Sequence, residues 1–158
     1  MSKRLLYILV GICAIAIGVM IAALIITGKP VQEPFTPPEF DSSAMIGAPD
    51  VPANLDWKEL DAKLYKVGIC GAVMPDENGV DLWLTNPKDN NVWLKVRVLD
   101  ADGNILGETG LIKPGEYVQT VGLQTVPPTG TQITLKVMAY EPETYYSAGA
   151  VNISTKIS

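Results

Sequence analysis

Four aromatic side chains are the residues of this chain best suited to chemistry, and the chemistry is adhesion. Trp83 and Trp93 fall on the outward phase of the alternating stretches DLWLT and NVWLKV, and EPETYYSAG, from Glu141 to Gly149, presents Tyr145 and Tyr146 on a loop. Tyrosine and tryptophan bury a large area at small entropic cost, which suits them to partner-binding patches. The same rings serve equally well to cover a small core or to dock a domain against its own linker. That covering role is the more ordinary one, so Trp83, Trp93, Tyr145 and Tyr146 are candidate partner-binding residues set against a plain alternative.

Catalysis has little to work with. The 158 residues contain no histidine, which removes Ser-His and Cys-His nucleophile activation and the commonest zinc ligand sets. No activated nucleophile or paired acid-base set can be assembled, so the sequence reads as a non-enzyme with no catalytic, cofactor-binding or metal-binding residues and no cofactor. Cys13 lies in an apolar run and Cys70 is alone beyond it, which leaves the outer part of the chain without an internal disulfide.

Several short motifs have ordinary explanations. VPPTG at Val126 to Gly130 has the look of a sorting signal, yet it precedes a strand instead of a C-terminal apolar span, and it reads as a loop. Asp100 to Gly103, DADG, lacks the ligand spacing of a calcium loop, with Leu111 where the twelfth-position Glu would stand, and it reads as a hairpin turn. Asn152-Ile153-Ser154 matches a glycosylation acceptor but falls within a predicted strand. Lys66, Asn152 and Asp81 are the residue types of an intramolecular isopeptide bond; against that, a buried unpaired lysine is costly and the surface is its default place.

The elements that must position these residues begin with LLYILVGICAIAIGVMIAALIIT, from Leu5 to Thr27. A bilayer-spanning helix needs about 20 apolar residues, and Lys3 and Arg4 before the run favour a cytoplasmic N-terminus, residues 1–4. The run is longer than the apolar region of a cleaved signal peptide, and Ile12 before Cys13 does not suit lipidation. An uncleaved single-pass anchor follows, with the lipid bilayer as its first partner and the C-terminal remainder outside the cell. Beyond the anchor 10 basic residues stand against 17 acidic ones, a formal charge of −7. Nucleic acid is excluded as a partner on that balance.

From Gly28 to Asn54 the chain carries Pro30, Pro34, Pro37, Pro38, Pro49 and Pro52 among acidic residues, which predicts an extended, semi-rigid spacer. LDWKELDA, Leu55 to Ala62, predicts one helical turn with Trp57 against the domain edge. Residues 55–158 then predict an all-β domain with strands over Tyr65 to Val73, Gly79 to Thr85, Asn91 to Leu99, Asn104 to Ile112, Glu116 to Leu123, Gln132 to Tyr140 and Ala150 to Ile157. Alternation is clearest at Val92, Leu94, Val96 and Val98 and at Ile133, Leu135, Val137 and Ala139, the predicted core faces. The second and third strands are joined by a hairpin around Lys88, which would pair Trp83 with Trp93, or by an arch between two sheets. Seven strands in about a hundred residues match the immunoglobulin plan, which requires the arch.

The stretch LWLTNPKDNNVWLKVRVLDADGNILGETGLIKPGEYVQTVGL, Leu82 to Leu123, resembles the core of bacterial immunoglobulin-like surface modules. The likeness is carried by the Asn turn at Leu84 to Asn86, the valine-rich strand from Val92 to Asp100, the Asp102-Gly103 turn and the Leu-x-x-Pro-Gly-Glu opening from Leu111 to Glu116. With LKVMAYEPETYYSAGAV, Leu135 to Val151, the whole chain resembles short membrane-anchored immunoglobulin-like proteins of gut Firmicutes, some of whose relatives travel with conjugative elements. The resemblance implies a seven-stranded immunoglobulin-like β-sandwich and, less directly, a Gram-positive cell surface. The function expected is an interaction or accessory protein of the cell envelope, linked to a conjugation or secretion assembly and docking through a sheet edge or the Tyr145 loop. The alternative is a wall-glycan module in which Trp83 or Trp93 stacks on sugars.

Overall fold

The computed structural model describes residues 3–27 and 35–158, without the side chains of 5–6, 8–10, 14 and 23–27. Residues 28–34, with Pro30 and Pro34 of the expected spacer, lie outside the described residues. The chain divides into two compact units, Met1–Thr36 and Pro37–Ser158. In the first unit a single α-helix, α1, covers Lys3–Thr27. Its 25 residues correspond to about 37 Å of helix. Among the described residues no helix is long and apolar enough to cross a membrane.

The second unit is all-β, with ten described strands in two antiparallel sheets: β1 Met45–Ile46, β2 Trp57–Asp61, β3 Lys66–Cys70, β4 Met74–Asp76, β5 Gly79–Asn86, β6 Trp93–Leu99, β7 Ile105–Glu108, β8 Glu116–Gly122, β9 Gln132–Tyr140 and β10 Ser147–Lys156. The first sheet runs β1-β8-β5-β3-β2 with β4 also on β5, and the second runs β10-β9-β6-β7. Both predicted core faces are buried, with Leu94, Val96, Val98, Ile133, Leu135, Val137 and Ala139 all fully inaccessible. From the first sheet Val67, Val80, Leu82 and Leu84 meet them. Each aliphatic side chain removed from water in this way contributes about 1.5–3 kcal/mol before entropy is counted.

β5 and β6 lie in different sheets, so their connection is the arch and the Trp83–Trp93 pairing of a hairpin does not occur. Asn86, fully buried, holds the arch. Its side-chain amide donates to the carbonyls of Val92 at 2.8 Å and Ile112 at 2.9 Å, and its Oδ1 accepts from Asn90 Nδ2 at 2.7 Å. Asn90 in turn exchanges two bonds with the Lys66 backbone, which ties the arch to the first strand of the β3–β5 pair.

Three expectations are corrected. The helical turn over Leu55 to Ala62 is a short 3-10 turn, Ala53–Leu55, followed by the strand β2, because pairing with β3 along its whole length outweighs the helical preference of Lys58, Glu59 and Leu60. The seven expected strands are joined by β1, β2 and β4, and the strand expected from Asn104 to Ile112 ends at Glu108. Part of the expected spacer packs on the domain: Phe40 bridges Leu111, Asp41 N–H donates to the Leu111 carbonyl at 2.9 Å, and Asp41 Oδ2 accepts from Gly110 N–H at 2.8 Å. A β-carbon at Gly110 would strike the Asp41 backbone, so the glycine admits this strap.

Candidate functional site

Trp57 leads the candidate site. β2 is the edge strand of the first sheet and places the Trp57 indole over Gly68 of β3, where a β-carbon would collide with the ring. Trp57 Nε1 reaches past β3 and donates to the Trp83 carbonyl of β5 at 3.2 Å. Trp83 sits in a β-bulge where Leu82 and Trp83 oppose the single residue Gln119 of β8, and its φ of 49° is in the left-handed region. Bulky residues seldom adopt that conformation, and bulges of this kind re-aim side chains. The ring stacks on Tyr117 of β8, centroids 6.1 Å apart and planes within 16°. Among the described residues no partner is found for the buried Trp83 Nε1, a state that costs about 1–3 kcal/mol in a dry site.

Beside Trp57 lies a groove of about 620 Å³. Its lining is largely apolar and includes Trp57, Pro87, Ile46, Pro49 and Pro114. Ile46 on β1 is 88% exposed, an unusual degree for an isoleucine in a strand. The volume is within the range of ligand and side-chain pockets. The rim carries both signs of charge, Glu59, Asp89 and Glu116 against Lys88 and Lys113. Near it Lys66 Nζ lies 2.8 Å from Asp89 and 3.5 Å from Glu59. The Asp89 hydrogen bond is the main cause holding the Lys66 ammonium above its ordinary value, and the same bond holds the Asp89 carboxyl below its own.

The expected site residues separate. Trp83 belongs to the first sheet and Trp93 to the second, so they form no common platform. Both are half-buried. Trp93 is flanked edge-on by Phe40 at 4.8 Å and by Tyr145 at 5.2 Å, and Lys113 lies 4.4 Å above the Phe40 ring. Phe40, from the expected spacer, thus packs edge-on against Trp93. Tyr145 stands at a φ of 57°, while Tyr146 is 71% exposed. The structure brings Trp93 and Tyr145 together and leaves Trp83 elsewhere.

The isopeptide arrangement is not assembled. Lys66 is held by Asp89 and Glu59, Asp81 accepts from Thr120 Oγ1 at 2.6 Å, and Asn152 stands in the other sheet opposite Lys136. The Asp100 carboxylate is used within its own turn, accepting from Asp102 N–H, Asn104 N–H and Asn104 Nδ2; the last of these is the largest cause of its lowered pKa. Cys70 is buried, and burial pushes its thiol up to about 11, so it is unreactive at neutral pH. Among the described residues no group of three or more His, Cys, Asp or Glu side chains is placed to hold a metal ion.

Trp57, Gly68, Tyr117 and Ile46 were not among the expected site residues. One signal in the sequence bears on Trp57 and Gly68: an isolated glycine within a strand, KVGIC, marks a close approach by something else. Comparison with family models, curated proteins and solved structures finds no match for this chain.

Proposed function

We propose that this chain is a single-pass membrane protein of the bacterial cell envelope, N-terminus in the cytoplasm, that presents an immunoglobulin-like sandwich outside the cell to dock another envelope protein. The anchor rests on the uncharged run from Leu5 to Thr27 behind Lys3 and Arg4. The immunoglobulin-like reading is supported by the strand order: β3, β5 and β8 occupy one sheet and β7, β6, β9 and β10 the other, the places of strands A, B, E and of C′, C, F, G in that plan. Gram-positive origin and a link to a conjugation or secretion assembly remain part of the proposal through the resemblance alone.

The groove walled by Trp57 carries the binding reading. An apolar cleft with an aromatic wall and a rim of both charges suits a polypeptide surface offering an apolar side chain, and suits a polyanion poorly. The glycan alternative is less well supported, since Trp93 is flanked by two rings and Trp83 is stacked on a third. A photo-crosslinking amino acid at Ile46 of the full chain, activated in living cells, is expected to trap one defined protein, and Trp57→Ala is expected to abolish the product. Absence of a product, or one that survives Trp57→Ala, contradicts the docking site, and retention of the chain on purified peptidoglycan without a protein product transfers the function to glycan.

A further inference from the structure

Among the described residues β10 is an edge strand of the second sheet. This strand is the longest of the domain at 10 residues, and it pairs with β9 from Ser147 to Lys156. Among the described residues nothing pairs with its other side between two limits. A register shift between Ser147 and Gly149 bounds it at one end. At the other, Thr155 Oγ1 donates to the Gly71 carbonyl and Ile157 bridges Val73. Ala150 to Ser154 is therefore a free edge of five residues, about 17 Å long.

Unpaired edges template further pairing, and proteins guard them with charge, proline, brevity or bulges. The other edges here are guarded. Three of the five residues of β2 are charged, Lys58, Glu59 and Asp61. β7 has four residues and ends on Glu108, engaged by Lys95 and Arg97, and β1 has two residues. Between Ala150 and Ser154 there is no charge, no proline and no acidic residue in a chain that is acidic overall.

We infer that this edge pairs with the same edge of a second copy, antiparallel about a two-fold axis at Asn152, joining two four-stranded sheets into one of eight. Only same-parity registers keep inner and outer faces matched, and the one centred on Asn152 uses the whole free run. It sets Val151 opposite Ile153 of the second copy on the inner face, where both already pack against the core. On the outer face it sets Asn152 opposite Asn152 and Ala150 opposite Ser154, so no charges meet within the free run. Such an interface is isologous and closes after two copies.

The test uses the full chain in native membranes with Cys13 replaced by serine. Asn152→Cys, oxidised with copper phenanthroline, is expected to give a covalent dimer at least tenfold above Glu77→Cys, which lies in the exposed turn between β4 and β5. Adding Ser154→Lys is expected to return the yield to the Glu77→Cys level. A second pair, Ala150→Cys mixed with Ser154→Cys, is expected to crosslink more than either alone. Dimer yields equal at Asn152 and Glu77, or indifferent to Ser154→Lys, overturn the pairing.

Discussion

At Gly68 an added β-carbon would strike the Trp57 ring and lie 2.9 Å from Cβ of Thr85. Trp57 could not keep its place, and the groove would lose its wall. Gly68→Ala is therefore expected to destabilise the domain by about 1–3 kcal/mol, the usual range for overpacking. In Trp57→Ala the ring contacts are gone and only the Thr85 contact remains, so the double variant should cost at least about 1 kcal/mol less than the sum of the singles. Urea denaturation of the four proteins measures this; additive costs would show that ring and glycine are not coupled. The dependence also explains why Trp57 was hard to read from the sequence. Its importance comes from a missing side chain on the next strand and a carbonyl two strands away, and LDWKELDA carries no trace of either. Trp93 was legible as an outward-phase ring, but the Phe40 that covers it comes from a proline-rich stretch with no periodicity.

Between strands, the least ordinary charge is Lys95 of β6, whose side chain is only 10% exposed. It lies 2.7 Å from Glu108 of β7, which also accepts from Arg97 Nε at 2.7 Å. Burial pushes the Glu108 carboxyl up, but the hydrogen bonds and charges of Lys95 and Arg97 outweigh it and hold the group below its ordinary value of 4.5. A carboxyl lowered on folding adds stability that is full above 4.5 and is lost as pH falls through the lowered folded value. Glu108→Gln is expected to cost about 1–2 kcal/mol at pH 7, discounted because Glu108 is itself more than a third exposed. The deficit should shrink as the pH falls from 4.5 through the lowered folded value. Lys95→Met should cost less at pH 7, since it removes the buried charge that Glu108→Gln strands. Thermal melts across pH check both, and a pH-independent deficit would contradict the assignment. At this scale the sequence was most legible where packing is two-sided. β9 runs over Gln132–Tyr140 as its alternation predicts, whereas β1, β2 and β4, short or charged strands of the first sheet, owe their existence to pairing partners.

At the scale of the whole molecule an apolar helix precedes an all-β domain in which the groove and the β10 edge belong to different sheets. The class of fold followed from strand spacing and turn residues, and the arch from the count of strands in the available length. The extent of the folded unit did not follow, because the strap at Phe40 and Asp41 is held by partners distant in the chain, Gly110, Leu111 and Trp93, and its own stretch carries no periodicity. The proposed topology puts the domain outside the cell on an uncleaved anchor. Glu77→Cys in the exposed β4–β5 turn provides a single reporter thiol there, because Cys70 is buried with its thiol pushed up to about 11 and Cys13 lies within α1. Intact cells treated with a membrane-impermeant maleimide should label this variant at full length in the membrane fraction and leave the parent chain unlabelled. Labelling that appears only after lysis, or a labelled chain shortened and released from the membrane, would contradict the account.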